Sequence, residues 1–262
     1  MILFTQLRDN EGLNMLSKDT IASLLKDTSA KVCVYDTVTS TNDVAKELCK
    51  TFDGNFLVIA EEQTSGRGRQ GKSFFSPRGS GIYFSFVADT SSPAFNSTGV
   101  TCAVAVATAR AIEKLTDLNV KIKWVNDIYI EDKKVCGILV QSVSENGVIK
   151  KLIIGVGVNV STVDFPTEIK DIATSLNKTI DRNILTAEIV NNISELILSP
   201  SEEYLNEYES RSNVIGKEIT YFQDNIPHYA TAVGIDRDGG LIVESEGKRT
   251  TLTSGEISVR FR

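Results

Sequence analysis

The sequence predicts an α+β protein in which a mixed β-sheet is flanked by helices and followed by a small C-terminal β-barrel. The first observation is that, over residues 32–211, short apolar runs typical of strands are interspersed with segments of helical periodicity. The second is that, after Arg211, short strand-like runs separated by turn residues follow one another closely. We therefore predict an N-terminal extension at 1–31, a large domain at 32–211 and the barrel at 212–262.

Helical and extended patterns alternate in the first part of the chain. Apolar residues at the i, i+3, i+4 spacing predict a short helix over 19–28. Ser40, with Asp43 three residues later, marks the start of a helix that runs to about residue 50. Residues 61–81 show no periodicity, and loops of that length usually have a function. Apolar runs predict three strands, at 32–35, 55–60 and 82–87.

The rest of the chain contains a buried helix, a hairpin and the barrel strands. Ala and Val on nearly every face of 101–115 are typical of a helix inside a core. Asn146-Gly147 between two apolar runs predicts a tight hairpin. Pro200 precedes a helix whose first turn is acidic. The remaining predicted elements are helices at 186–198 and 201–210 and strands at 120–130, 135–143, 148–160, 218–222, 229–235, 241–245, 249–252 and 257–261.

Composition and charge exclude several classes of protein. With 262 residues, 41% of them hydrophobic, the chain can bury a full core, which excludes a fibre or a disordered tail. Its net charge of −6 argues against a protein that coats nucleic acid. No continuous apolar run approaches the roughly 18 residues that span a bilayer, so we predict a cytoplasmic protein without membrane contact. The four cysteines form no Cys-x-x-Cys pair and are predicted to be buried free thiols, and the one histidine excludes a histidine-rich metal site.

A glycine-rich loop follows the second predicted strand. The run Gly66-Arg67-Gly68-Arg69-Gln70-Gly71-Lys72-Ser73 matches both the P-loop and the dinucleotide-binding spacings. Both motifs need a strand directly before and a helix directly after, and Pro77 opposes that helix, so we reject both. Arginine and lysine occur four times between residues 63 and 78, without an acidic residue, which favours an anionic ligand. A solvated surface loop is the alternative that this segment alone leaves open.

A second polar cluster interrupts the apolar run at 120–130. Asn126 and Asp127 would be buried there at a desolvation cost unless they bind something, and such a pair is suited to Mg²⁺ and polyphosphate. A polar kink or bulge is the alternative. Lys134 follows in a turn, where lysine is usually solvated, and Gly137 permits a close backbone approach to a ligand.

Taken together, these motifs resemble biotin protein ligases, in that family's order and from about residue 32 to the end of the chain. The resemblance implies a core related to class II aminoacyl-tRNA synthetases and an SH3-like barrel. It implies that biotin and ATP form biotinyl-5'-adenylate and that biotin then passes to a lysine of a biotin carboxyl carrier domain. The matching segments are Ser40-Thr41-Asn42, Gln63 with Gly66-Arg67-Gly68-Arg69-Gln70-Gly71, Lys123-Trp124-Val125-Asn126-Asp127, Lys134-Val135-Cys136-Gly137, Gly155-Val156-Gly157-Val158-Asn159-Val160 and Gly255-Glu256-Ile257-Ser258-Val259-Arg260.

The resemblance also implies a role for each matching residue. Lys134 would stabilise the charge that develops during adenylation, and Arg69 would retain the adenylate, so both are the expected catalytic residues. Asp127 would be the Mg²⁺ ligand. The expected biotin contacts are Ser40, Thr41, Asn42, Gln63, Gly66, Arg67, Lys134 and Gly137. The expected ATP contacts are Arg67, Arg69, Phe74, Asn126, Asp127, Asn159, Glu256 and Arg260.

The chain departs from the family pattern at a few positions. Val125 stands where proline is frequent and Phe74 where tryptophan is frequent, so either Phe74 or Phe75 would contact the adenine. About 31 residues precede the first core strand, too few for a winged helix-turn-helix, so we expect no DNA binding. Pairing of two subunits through the sheet, as in some members of the family, stays open.

Two other functions compete with this interpretation. A lipoate or octanoate ligase has a similar core, but the arginine-rich loop and the Asn126-Asp127 segment favour biotin. A non-enzymatic module that binds through its barrel receives little support from the few barrel aromatic residues.

Overall fold

The computed structural model describes residues 15–90, 97–198, 203–223, 226–253 and 258–261. Two β-sheets, five α-helices and a short 3₁₀ helix at Arg69–Gly71 are formed by these residues. The helices are α1 (Lys18–Leu24), α2 (Thr41–Leu48), α3 (Ser97–Leu115), α4 (Arg182–Leu198) and α5 (Glu203–Arg211). The strands of the large sheet are β1 (Lys31–Val38), β2 (Phe56–Gln63), β3 (Gly81–Asp89), β4 (Lys121–Lys123), β5 (Asp127–Ile130), β6 (Lys133–Glu145) and β7 (Val148–Asn159). The strands of the small sheet are β8 (Glu218–Gln223), β9 (Ile226–Ile235), β10 (Leu241–Ser245), β11 (Lys248–Leu252) and β12 (Ser258–Phe261).

The large sheet is mixed, with the strand order β1-β2-β3-β7-β6-β5-β4. β1 and β2 are parallel, and the other neighbours are antiparallel. β6 and β7 form the hairpin that Asn146-Gly147 predicts, and both turn residues have positive φ. The small sheet is antiparallel, in the order β11-β10-β9-β8-β12. The predicted α+β class, with a mixed sheet and a separate C-terminal β-structure, is confirmed.

Helices cover both faces of the large sheet. Side chains alternate between the two faces along a strand, so Phe56 and Val58 point to the face opposite Leu57 and Ile59. Phe56 and Val58 pack with Ala45 of α2 in a small buried cluster. Leu57 and Ile59 belong to the main core, which contains the buried residues of α3 and α4. The two faces are therefore distinct, and the functional pocket described below opens on the α2 face.

The predicted single strand at 120–130 is wrong, because the chain reverses there. β4 and β5 pair as an antiparallel hairpin, with Trp124, Val125 and Asn126 in the turn and a cis peptide bond between the first two. Trp124 and Val125 are only 5% and 1% exposed, so two residues of the turn are buried and apolar like those of a strand. The sequence pattern therefore did not indicate the turn. The alternative of a polar kink at Asn126 therefore describes the local backbone correctly.

Further sequence predictions have mixed outcomes. Cys102 and Cys136 are buried free thiols, as predicted, whereas Cys33 and Cys49 are free but only half-buried. Among the described residues, the helices include none with both the length and the apolarity needed to cross a bilayer.

A buried ion pair ties the N-terminal segment to the large sheet. Arg182 Nη1 at the start of α4 lies 2.8 Å from Glu61 Oε2 on β2, and the two side chains are only 3% and 11% exposed. Arg182 also donates to the carbonyl of Gly81, and Glu61 Oε1 accepts from the amide of Leu16 at 2.9 Å. Because both charges are hydrogen-bonded, their desolvation is compensated only while the pair is intact.

We predict that Arg182→Met destabilises the fold by about 3–5 kcal/mol, because it leaves the Glu61 carboxylate buried without its partner. Urea unfolding followed by far-UV circular dichroism measures this change. Arg249→Met is the matched control: Arg249 pairs with Glu244 at 2.9 Å, but its side chain is 70% exposed. The control should change stability by less than about 1 kcal/mol, and equal losses in the two variants would contradict the role of burial.

Candidate functional site

A cavity of about 610 Å³ opens beside the N-terminus of α2. Its walls come from the start of α2, the glycine-rich loop, the β4–β5 turn, strands β6 and β7, and the segment that follows β7. The volume suits a small-molecule ligand. The predicted site residues that line it are Ser40, Thr41, Asn42, Gln63, Arg67, Arg69, Phe74, Asn126, Asp127, Lys134, Gly137 and Asn159.

Three predicted residues are not among those lining the cavity. Gly66 supports the loop from behind and is treated below. Arg260 lies in β12, but its side chain is outside the described residues, as is the whole of Glu256. Their expected contacts with ATP therefore stay predictions.

Hydrogen bonds organise the polar end of the cavity around Thr41. Gln63 Oε1 accepts from the Thr41 amide at 2.8 Å and from its hydroxyl at 3.1 Å, while Gln63 Nε2 donates to Ser76 at 2.9 Å. Ser85 Oγ, fully buried on β3, lies 2.8 Å from Thr41 Oγ1 and 2.6 Å from Asn42 Oδ1. Ser40 occupies the N-cap position but makes no capping hydrogen bond through its side chain. Donors and acceptors are thus held in place before any ligand arrives.

The floor of the cavity consists of glycines on β6 and β7. Gly137 and Gly157 are partners in the strand register. A Cβ at Gly155 would overlap Asn42 Oδ1, and a Cβ at Gly157 would lie 2.6 Å from the Phe74 ring. Gly155 and Gly157 were not among the predicted contacts, although both lie in a matching segment. Their signal is the alternation of glycine with valine along a strand, which places every glycine on one face.

The two phenylalanines of the loop lie in different parts of the cavity. Phe74 packs against the glycine floor and edge-on to Tyr83, with 6.4 Å between ring centroids. The ring of Phe74 also lies 5.8 Å from Lys134 Nζ. Phe75 instead pairs with Phe165, at 6.3 Å, in the segment after β7. Phe74 therefore lies beside the lysine, whereas Phe75 lies beside the segment that follows β7.

The glycine-rich loop folds back on itself as a narrow hairpin. The Phe74 amide donates to the Gly66 carbonyl at 2.9 Å, and the Gly68 amide donates to the Lys72 carbonyl at 2.7 Å. A side chain at Gly66 would lie 2.5 Å from the Phe74 carbonyl oxygen and 2.8 Å from Ser76 Oγ. Gly66 is therefore required by the close approach of the two arms of the loop, and it orients the residues that do line the cavity.

The four cations of the loop do not act as one group. Arg67 lines the cavity and pairs with Asp43 at 2.9 Å, and Lys72 also lines it. Arg69 Nη1 donates to Asn126 Oδ1 at 3.2 Å, and burial lowers the pKa of this guanidinium. Arg78 is directed elsewhere and binds the Asp36 carboxylate, whose pKa its hydrogen bond lowers. The prediction of an anionic ligand thus rests on three cations, since Arg78 is not among the cavity residues.

Lys134 and the Asn126-Asp127 pair meet at one side of the floor. Lys134 Nζ lies 2.7 Å from Asp127 Oδ1 and about 3 Å from where a Cβ would stand on Gly137. Asn126 Nδ2 donates to the Ile138 carbonyl, and the Ile138 amide donates back to the Asn126 carbonyl, both at 2.9 Å. Asn126 therefore has both a structural role in the turn and a side-chain oxygen directed to Arg69.

Asn159 lines the cavity with a buried oxygen that lacks a partner. Asn159 is 3% exposed, and its Nδ2 donates to the Thr174 carbonyl at 3.1 Å. Its Oδ1 has no hydrogen-bond partner within the part of the chain that the structure describes. A buried acceptor without a partner is costly unless a ligand or water satisfies it, which favours a ligand at this point.

Sequence reasoning missed one wall of the cavity. The segment after β7 contributes Phe165, Ile169 and Ile172, and it pairs with the start of β6 through hydrogen bonds to the backbone of Lys134. This segment has no strand or helix periodicity that could have indicated its position. Tyr129 of β5 also lines the cavity, and burial raises its pKa to about 12, so the phenol stays neutral at physiological pH.

The fold and the cavity define a class of protein. A model of the biotin/lipoate A/B protein ligase family matches residues 34–159, and a model of the biotin protein ligase C-terminal domain matches residues 214–260. The bifunctional ligase/repressor BirA of Bacillus subtilis is 32% identical over 236 residues, which are 86% of this chain and 73% of that protein. A biotin–acetyl-CoA-carboxylase ligase of Mycobacterium tuberculosis is 27% identical and covers 77% of each chain.

Solved structures agree with the sequence comparisons. The biotin protein ligase of Aquifex aeolicus in complex with biotin and ATP superposes with a TM-score of 0.78 at 30% identity, over 88% of this chain and 99% of that one. The chain belongs to the biotin protein ligase family. The resemblance identified from the sequence motifs is therefore confirmed.

We predict that Gly155→Ala destabilises the fold by about 1–3 kcal/mol, because the new Cβ must push the Asn42 side chain of α2 away from β7. Thermal unfolding measures the loss. The double variant Asn42→Ala, Gly155→Ala should lose less than the sum of the two single variants, by about 1 kcal/mol, since the overlap is then removed.

Gly234→Ala on β9 is the control for Gly155→Ala. Its Cβ would meet only ordinary contacts at 3.7 and 3.8 Å. Strict additivity in the double variant, or an equal loss in the control, would contradict the proposed close approach.

Proposed function

We propose that this chain joins biotin and ATP to form biotinyl-5'-adenylate and then transfers biotin to a lysine of a carrier domain in a biotin-dependent carboxylase. The observation that carries the proposal is the layout of the glycine floor. Asn42 lies against Gly155 at one end, and Lys134 lies against Gly137 at the other. Gly137 is opposite Gly157, two residues along β7 from Gly155. Two strand residues span about 7 Å, which suits a small bicyclic ring with its carboxylate directed to the lysine.

The polar end of the cavity supports recognition of the biotin ring. A cyclic urea offers one acceptor and two donors and needs complementary groups at fixed positions. Thr41 and Gln63 supply such groups, and their mutual hydrogen bonds hold them in place. Preorganisation of this kind improves affinity because little conformational freedom is lost on binding.

The opposite end of the cavity supports binding of the nucleotide. Lys134, Arg69 and Lys72 provide positive charge for the phosphates, and the amide oxygen of Asn159 provides an acceptor for a donor on the nucleotide. Phe75 with Phe165 forms an apolar surface on which an adenine ring can pack. Between the two possibilities that the sequence left open, the pairing of Phe75 with Phe165 favours Phe75 as the adenine contact, since Phe74 packs on the glycine floor.

Asp127 is the group that would hold Mg²⁺. Magnesium is often bound by one or two carboxylates together with substrate phosphates, and Asp127 lies in the cavity beside Lys134. Among the described residues, no cluster of three or more potential metal-ligating side chains occurs, so the phosphates of ATP would complete the coordination. Bound Mg²⁺ would neutralise phosphate charge.

The reaction needs no nucleophile from the protein. A carboxylate oxygen of biotin attacks the α-phosphorus of ATP and pyrophosphate leaves, which gives the mixed anhydride. The amine of the carrier lysine then attacks the acyl carbon, and AMP leaves with the bonding electrons. The protein contributes by placing the two substrates in line and by stabilising the charge that develops on the α-phosphate through Lys134. The glycine-rich loop would keep water from the anhydride.

The function is tested by titrating the purified chain with biotin in a calorimeter, with lipoate as the matched control acid. Pyrophosphate release is assayed in parallel with ATP and Mg²⁺. We expect biotin to give both a heat of binding and pyrophosphate release, and lipoate to give neither. Equal responses to both acids would indicate a lipoate-type ligase, and no response to either would contradict the proposed activity.

We predict that Lys134→Ala lowers the rate of biotin-dependent pyrophosphate release by about 100-fold or more, because one fixed charge at the reacting phosphate is lost. Lys133→Ala is the matched control, since the neighbouring Lys133 is exposed and donates to the Lys170 carbonyl at 3.4 Å. The control should keep its rate. Near-normal turnover of Lys134→Ala would remove this lysine from the reacting centre.

We predict that Arg69→Gly releases the adenylate into solution, because the side chain that reaches across to Asn126 is lost from the loop. Free adenylate would then biotinylate accessible lysines of an added bystander protein, which a streptavidin blot measures. Arg78→Gly, a loop arginine bound to Asp36 instead, is the control and should leave the bystander unlabelled. Retention of the adenylate by Arg69→Gly would refute the role of Arg69.

A further inference from the structure

The single tryptophan of the chain stands between the cavity and the small sheet. Trp124 lines the cavity, is 5% exposed, and belongs to the β4–β5 turn that leads into Asn126 and Asp127. Its indole Nε1 donates to the carbonyl of Gly239 at 2.9 Å. Gly239 lies in the turn between β9 and β10 of the small sheet. One side chain therefore contacts both the cavity and the C-terminal part of the chain.

The turn that presents Gly239 is held together by hydrogen bonds to Asp236. Asp236 Oδ1 accepts from the Gly240 amide at 2.7 Å and from the Asp238 amide at 2.9 Å, and the Gly239 amide donates to the Asp236 carbonyl at 3.0 Å. Gly239 has a φ of +82°, which disfavours any other residue at this position. The Gly239 carbonyl is consequently held at a defined place by the small sheet.

The same turn approaches helix α3 closely. A Cβ at Gly239 would lie 3.0 Å from Cys102 Sγ and 3.2 Å from the Gly99 Cα. A side chain there would push the turn away from α3 and from the indole. Small displacements of this turn would therefore reach Trp124 directly.

Helix α5 contacts both the β4–β5 turn and the small sheet. The hydroxyl of Tyr208, which is fully buried, donates to the Val125 carbonyl at 3.1 Å, directly after Trp124. The adjacent Glu209 accepts from the Ile235 amide of β9 at 3.2 Å. Neighbouring residues of one helix thus bind the cavity turn and the small sheet, which makes the three parts a continuous packed unit.

We propose that the Trp124–Gly239 hydrogen bond is a positioning contact. Through it, the small sheet fixes the position of the cavity wall that carries Asn126 and Asp127 on the nucleotide side. Trp124 is separated from Asn126 by one residue, so a displaced indole moves the backbone that carries Asn126 and Asp127. The biotin side is built from α2, β2, β3 and the glycine floor, whereas among the described residues the hydrogen bonds of Gly239 go to Trp124, Cys102 and Asp236. The contact therefore affects ATP more than biotin. This inference rests on the proposed assignment of Asn126 and Asp127 to the nucleotide.

Gly239→Ala is the variant that tests the inference, and Gly247→Ala is its matched control. Both glycines lie in hairpin turns of the small sheet with positive φ, +82° and +74°, but a Cβ at Gly247 would meet nothing within 4 Å. Backbone strain is thus common to both variants, and only Gly239→Ala disturbs the contact between Trp124 and Gly239. Three quantities are measured: KM for ATP in the pyrophosphate assay, the dissociation constant for biotin, and the fluorescence emission of Trp124.

The expected result is that Gly239→Ala raises KM for ATP by about tenfold or more, because misplacement by about 1 Å has large kinetic effects. Its biotin affinity should equal that of Gly247→Ala. Its tryptophan emission should shift to longer wavelength as the indole gains water, and that of Gly247→Ala should match the wild type. Equal KM values for ATP in the two variants, or a parallel loss of biotin affinity in Gly239→Ala, would overturn the inference.

A second variant and the activity of the wild-type chain complete the test. If Gly239→Ala does not fold, Trp124→Phe removes the indole N–H and keeps a buried ring: a raised KM for ATP with normal biotin affinity supports the contact, and an unchanged KM overturns it. Absence of biotin-dependent pyrophosphate release in the wild-type chain would contradict the proposed function itself. Normal release in the wild type with control-like kinetics in Gly239→Ala overturns only the positioning role.

Discussion

The cavity depends on three glycines, Gly137, Gly155 and Gly157, on one face of β6 and β7. Gly155 lets the Asn42 side chain lie directly on the sheet, and Gly157 does the same for the Phe74 ring. Only this close approach brings the N-terminus of α2 and the glycine-rich loop over the same strands. Polar groups from α2 and the Lys134 ammonium then lie at opposite ends of a single floor, which is the arrangement needed to hold a ring and its carboxylate.

The chemistry of such a site is one of placement and charge. Burial raises the pKa of the Tyr83 phenol to about 12 and raises the pKa of the Cys136 thiol as well, so neither group ionises near neutral pH. The charges that line the cavity are instead held by specific partners, as Lys134 is by Asp127 and Arg67 is by Asp43. An adenylation reaction between two bound substrates requires this kind of fixed electrostatic environment rather than a protein nucleophile.

The small sheet supports the cavity wall through a hydrogen bond with Trp124. Its β9–β10 turn binds Trp124, and α5 binds both that turn's strand and the backbone at Val125. A buried tryptophan whose N–H finds its partner in another sheet connects the packing of the two sheets to the position of the wall. Through Trp124, the C-terminal part of the chain therefore contacts the turn that carries Asn126.

Local patterns in the sequence determined most helices and strands and the Asn146-Gly147 hairpin, because periodicity and turn chemistry act over a few neighbouring residues. The expected contacts in the cavity came instead from the resemblance of its motifs to biotin protein ligases. Contacts between distant residues decided the rest. The apolar run at 120–130 proved to be a turn because Tyr208 and Gly239 satisfy its buried polar groups, and Arg78 is not part of the cationic group because Asp36 lies on a neighbouring strand. Such pairings arise only when the chain has folded, so no local pattern encodes them.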